Sequence, residues 1–125
     1  MNEENFLHWL QTQDRKYHPN AYRFVLEALK YSQRHFERPR HVTGRELLAG
    51  ISELAKKEFG PFVLTVFEEW GINTTRDFGN IVFQLFDVGE IKRTEDDRVE
   101  DFDDVFDFSE EFGAVKTWET TKSNA

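Results

Sequence analysis

Residues 89–108 read GEIKRTEDDRVEDFDDVFDF, and the conformation of this stretch decides the fold. Gly89 suits the end of a helix, and Glu90–Thr94 reads as a short strand. Glu95, Asp96 and Asp97 form a turn-prone cluster. Val99, Phe102, Val105, Phe106 and Phe108 supply the apolar side of a returning strand, with a bulge absorbing their irregular spacing. On such a strand Asp101, Asp103 and Asp107 share one face, and Asp104 points the other way. A hairpin here makes the domain winged-helix-like. Without it, the chain is a helical bundle with an irregular acidic arm.

The segments before it read as helices. Asn5–Gln11 is short and places Phe6, Leu7 and Leu10 on one side. His18-Pro19-Asn20 interrupts the chain, because the residue before a proline resists the helical conformation. Ala21, Phe24, Val25, Ala28 and Leu29 then fall at helical spacing from a start near Asn20, and Pro39 ends the region. Thr43-Gly44-Arg45-Glu46 fits a capping box ahead of the stripe Leu47, Leu48, Ile51, Leu54 and Ala55. Gly60 stops that helix, and Pro61 opens a fourth that runs to Trp70. After Gly71, Thr74 and Asp77 mark the start of a fifth helix over Thr75–Val88. Its Phe78, Ile81, Val82, Phe83, Leu85 and Phe86 cover more than half the circumference, which predicts a central position. The expected architecture is mainly α. It is a single five-helix domain over 1–112 with a C-terminal β-hairpin, winged-helix-like, and a polar tail over 113–125.

Composition narrows the function classes. The chain has 125 residues, no cysteine and 13 phenylalanines, so a phenyl-rich core without disulfides or thiolate metal sites is expected. The N-terminal MNEENFLHWL carries acids where a signal peptide carries positive charge, and no apolar run approaches a membrane span. A soluble cytoplasmic protein with no membrane partner is expected. The net charge of −8 is unevenly spread. Residues 1–60 hold ten lysines and arginines against eight acids, and residues 61–125 hold six against sixteen. Such polarity suits a partner of complementary charge, or two halves that face each other within the fold.

Taken together and in order, HVTGRELLAGI (41–51), FGPF (59–62), EEWGI (68–72), TTRDFGNIVF (74–83) and DFDDVFDF (101–108) resemble a family of small bacterial conserved hypothetical proteins of the planctomycete and verrucomicrobial type. The resemblance spans roughly residues 5–112. It implies one compact domain, and it carries over no catalytic residues, because the family has no assigned activity.

Duplex DNA is an unlikely target. The fifth helix offers only Arg76 against Asp77 and Asp87, and residues 90–101 hold three basic residues against six acids. The basic stretch is KYSQRHFERPRHVTGR (30–45). There Arg34, Arg38, Arg40, His41 and Arg45 lie among Tyr31 and Phe36, a mixture that suits RNA phosphates and bases or an acidic protein. The same residues also suit pairing with the acidic half of the chain. Asp101, Asp103, Asp104 and Asp107 are hard oxygen ligands, but the glycine and closing glutamate of a calcium loop are missing, so no metal or cofactor is expected. On a strand they would serve a basic partner or keep an edge solvated. No cysteine nucleophile, phosphate loop or HExxH is present, and the four histidines lack ligand spacing, so no enzyme is expected. The leading expectation is a non-enzymatic adaptor or regulatory binding module with a protein partner. It would act through Arg34, Arg38, Arg40, His41 and Arg45, through Asp101, Asp103, Asp104 and Asp107, or through both. The alternative is an RNA- or ribosome-associated factor that uses residues 30–45.

Overall fold

A computed structural model describes residues 3–12, 16–35 and 41–113. Among the described residues there are six α-helices: α1 (Glu3–Thr12), α2 (Pro19–His35), α3 (Gly44–Phe59), α4 (Val63–Glu69), α5 (Thr75–Asp87) and α6 (Phe108–Gly113). Two 3-10 turns, Gly60–Phe62 and Val99–Phe102, complete the order. The mainly helical architecture and the five expected helices are all found.

The local signals explain most boundaries. Helix α2 begins at Pro19, whose missing N–H costs nothing in a first turn. His18 sits just before it, and its Nδ1 accepts the Asn20 N–H at 3.0 Å. Thr43 Oγ1 accepts the Glu46 N–H at 3.1 Å, and Glu46 accepts the Thr43 N–H at 3.0 Å, so the capping box of α3 closes in both directions. Gly60 follows α3 with φ 52, and Gly71 follows α4 with φ 82, both in the region that favours glycine.

The hairpin is not formed. No strand occurs among the described residues, and residues 90–108 run through turns and the Val99–Phe102 3-10 turn up to the start of α6. No wing is therefore present among them. Three of the acids give the physical reason, because each satisfies a nearby backbone donor that a strand would need for its neighbour. Asp97 Oδ2 accepts the Thr94 N–H at 2.7 Å, and Asp101 Oδ2 accepts the Arg98 N–H at 3.3 Å. Asp107 Oδ1 accepts the Glu110 N–H at 3.1 Å and thereby caps α6. The apolar residues agree with this. Val99, Phe102, Val105 and Phe108 recur every third position and Phe112 follows four later, which is the spacing of helical turns, not of a pleat.

The core gathers on α5, as its apolar circumference predicts. Phe78, Ile81, Val82 and Leu85 are buried there, against Leu47, Leu48 and Ile51 of α3 and Ala21, Tyr22 and Val25 of α2. Helices α2 and α3 run antiparallel: Phe24 meets Phe59 at 5.5 Å between ring centroids, and Ser32 meets Gly50 eight residues further along α2. The two backbones approach closely at that second contact. A Cβ added at Gly50 would lie 1.9 Å from Ser32 Oγ, so only small residues fit. Ser32 Oγ is buried with no hydrogen-bond partner among the described residues, which fits a side chain kept for its size.

Four other phenylalanines and Trp70 converge on Phe67 of α4. Its ring lies 5.2 Å from Phe78, 5.4 Å from Phe112, 5.6 Å from Phe108 and 6.1 Å from both Phe24 and Trp70. One side chain therefore ties α2, α4, α5 and α6 together.

Candidate functional site

The two charged segments have different fates in the fold. Arg34 lies exposed in the last turn of α2, and Arg45 lies exposed in the first turn of α3. Neither guanidinium makes a hydrogen bond or ion pair with another described residue. His41 is half-buried, with Nε2 3.7 Å from Asp97 Oδ1. Arg38 and Arg40 lie outside the described residues.

The acids are largely committed inside the chain. Asp103 accepts a hydrogen bond from Arg76 at 2.7 Å. Asp101 holds the Arg98 N–H. Asp107 accepts from Ser109 Oγ and from the Glu110 N–H, and these bonds hold its carboxyl below the usual carboxylate range. Asp104 alone of the four is exposed without such a role, and its φ of 48 places it at the bend of the arm. The four carboxylates therefore do not converge, and no group of three metal-binding side chains occurs among the described residues.

Two hydrogen-bonded clusters were not legible in the sequence. In the first, Tyr17 donates to Asp77 Oδ1 at 2.6 Å, and Asn80 Nδ2 donates to Tyr17 Oη at 3.0 Å. Asp77 Oδ2 also accepts the N–H groups of Asn73 at 2.8 Å and Thr74 at 3.0 Å. Burial, and after it the bond to Asp77, push the Tyr17 phenol well above its usual value. Burial pushes the Asp77 carboxyl up, but the bonds from Tyr17, Asn73 and Thr74 outweigh it and leave the group lower than usual. A phenol held protonated and a carboxylate held ionised form a structural tie between α5 and the segment before α2. In the second cluster, Glu111 of α6 accepts from Ser52 Oγ and from Lys56 Nζ at 3.2 Å, which fastens α6 to α3 and keeps the Glu111 carboxyl low.

These ties make the fold acid-sensitive. Asp77 and Glu111 have folded-state values below their unfolded ones, so their contributions are full above the ordinary carboxylate value and fade as pH falls through the folded one. Stability is expected to decline below about pH 4. Asp77→Asn is expected to lower the urea midpoint at neutral pH and to flatten this acid decline. Midpoints measured across the acid range check it, and an acid decline as steep in Asp77→Asn as in the parent excludes the assignment.

A depression lies where the ends of α2 and α5 meet the start of α3. It is a cavity of about 230 Å³. Leu29, Val42, Leu47, Val82, Phe86 and Phe102 form its apolar interior, with Phe83 and Ile91 beside them. Gln33, Lys92, Asp97, Arg98 and Asp101 line its polar edge. Gly44 permits the close fit, since a Cβ there would stand 3.0 Å from the Phe102 ring. Both segments singled out in the sequence thus border one concavity, through Val42 and Gly44 on one side and Asp97, Arg98, Asp101 and Phe102 on the other.

Among the described residues, no helix is long and apolar enough to cross a membrane. No family model matches the chain, and neither a curated protein nor a solved structure matches it.

Proposed function

We propose that this protein is a non-enzymatic adaptor or regulatory binding module that meets an acidic protein surface through the end of the α2–α3 pair carrying Arg34 and Arg45. One observation carries the reading: the acids of residues 101–107 are mostly taken up inside the chain, whereas these two arginines stay exposed and unpaired among the described residues. Uncommitted arginines favour recognition of carboxylates in trans, because the planar fork binds them in pairs of hydrogen bonds. The acidic stretch becomes internal scaffolding under this reading, and not a second contact surface.

Charge reversal tests it. Arg34→Glu with Arg45→Glu is expected to change stability by no more than about 0.5 kcal/mol, as for exposed positions generally. The same change is expected to abolish capture of the partner by the tagged protein from native lysate. Capture that survives nuclease treatment fits a protein partner. Capture lost on nuclease treatment favours the RNA- or ribosome-associated alternative, since the same arginines would then bind phosphates. Capture indifferent to both changes removes the basic face from the function.

A further inference from the structure

We infer that the cavity between α2, α3 and α5 is a binding site for a small amphipathic anion, an aromatic or short-chain carboxylate, with its apolar body inside and its charge at Lys92 and Arg98. This assignment stands on the cavity alone and not on the basic face.

Size sets the first limit. At about 230 Å³ the cavity is smaller than the roughly 300–1,000 Å³ of sites for drug-sized ligands, so it suits one ring or a short chain. The interior sets the second. Leu29, Val82, Phe86 and Phe102 offer no hydrogen-bonding side chain, so the part of a ligand that enters must be apolar.

The edge sets the sign of the charge. Four charged residues border it, two of each sign, but their side chains are not equally free. Asp97 accepts from the Thr94 N–H and from Thr94 Oγ1, and it faces His41. Asp101 accepts the Arg98 N–H. Both carboxylates already hold donors of the chain, so an ammonium group gains less from them than from a bare carboxylate. The Lys92 ammonium and the Arg98 guanidinium make no ion pair or hydrogen bond with another described residue. A carboxylate that reaches either one gains a charge-assisted hydrogen bond and displaces no described partner.

The test uses three matched probes on the full chain, followed by isothermal titration and by amide chemical-shift mapping. The probes are phenylacetate, phenylacetamide and phenethylamine, which share a ring and differ in charge. Phenylacetate is expected to bind about tenfold or more tighter than the amide, the scale of one hydrogen bond to a charged group. Shifts should concentrate at Val42, Val82, Ile91 and Phe102. Lys92→Gln with Arg98→Gln is expected to erase most of the preference for the anion and to leave amide binding unchanged. Lys57→Gln, an exposed lysine in the last turn of α3, should do neither. Equal binding of anion and amide, or tighter binding of the amine, overturns the charge assignment. Failure of all three probes to shift the cavity resonances overturns the site itself. None of these outcomes bears on the Arg34 and Arg45 face, whose own test is partner capture.

Discussion

Replacing Phe67 with alanine is expected to lower the free energy of unfolding by about 3–5 kcal/mol, the range for removing a buried phenylalanine. The whole side chain is buried, and five aromatic rings surround it. Two features place this position toward the upper end. Helix α4 has only seven residues, too few to persist without packing, and Phe67 and Val63 are its fully buried anchors. Helix α6 has six residues and holds its place through Phe108 and Phe112, both of which face Phe67. Removal of one ring therefore loosens two helices that cannot stand alone. A loss of this size is a large part of the roughly 5–15 kcal/mol that holds a typical domain together. Phe62→Ala is the matched control, because Phe62 is 65% exposed five residues earlier. It is expected to change stability by no more than about 0.5 kcal/mol. Denaturant midpoints of the two variants check the contrast, and equal losses would falsify the picture of a core centred on Phe67.

The helices were legible because each carries a redundant signal. In α3 the capping residues, the apolar stripe and the terminal glycine all agree, and in α5 the breadth of the apolar surface identifies the central element. The arm after Gly89 carried a conflicting signal. Its valines and phenylalanines favour strands by type, but their three-residue spacing favours turns, and the spacing prevailed. Asp107 ahead of Ser109, Glu110 and Glu111 was a readable helix start that marked α6. The candidate surfaces were legible as composition only. Whether an acid points outward depends on which donor the fold brings to it. Arg76 meets Asp103 across 27 positions, and Tyr17 meets Asp77 across 60. No local pattern encodes such pairs. The cavity was hidden for the same reason, since its interior draws on three helices and the arm.

Gly79→Ala tests how the arm is held, and its sign is informative. On an open helix face this change stabilises by about 0.5–1 kcal/mol, because alanine restricts the unfolded chain and favours the helix. Here the added Cβ would lie 2.8 Å from both Cβ and Cγ of Phe102 and 2.9 Å from its Cδ1. The ring has little freedom to withdraw. Thr75 Oγ1 donates to the Phe102 carbonyl at 2.5 Å and accepts the Val105 N–H at 3.2 Å, which pins the arm to α5 one turn away. Forced overpacking of this kind costs about 1–3 kcal/mol, and expulsion of the ring approaches the roughly 3–5 kcal/mol of a lost core phenylalanine. A net destabilisation is therefore expected. Phe102→Ala alone is expected to fall in the same upper range. The double variant is expected to be no less stable than Phe102→Ala, because the clash disappears with the ring and the helix gain of alanine remains. Phe102 also forms part of the cavity interior, so Gly79→Ala should weaken binding of apolar probes there even where the helices stay folded. Additive losses in the double variant, or stabilisation by Gly79→Ala alone, would show that the arm yields freely and that Phe102 does not fasten it to α5.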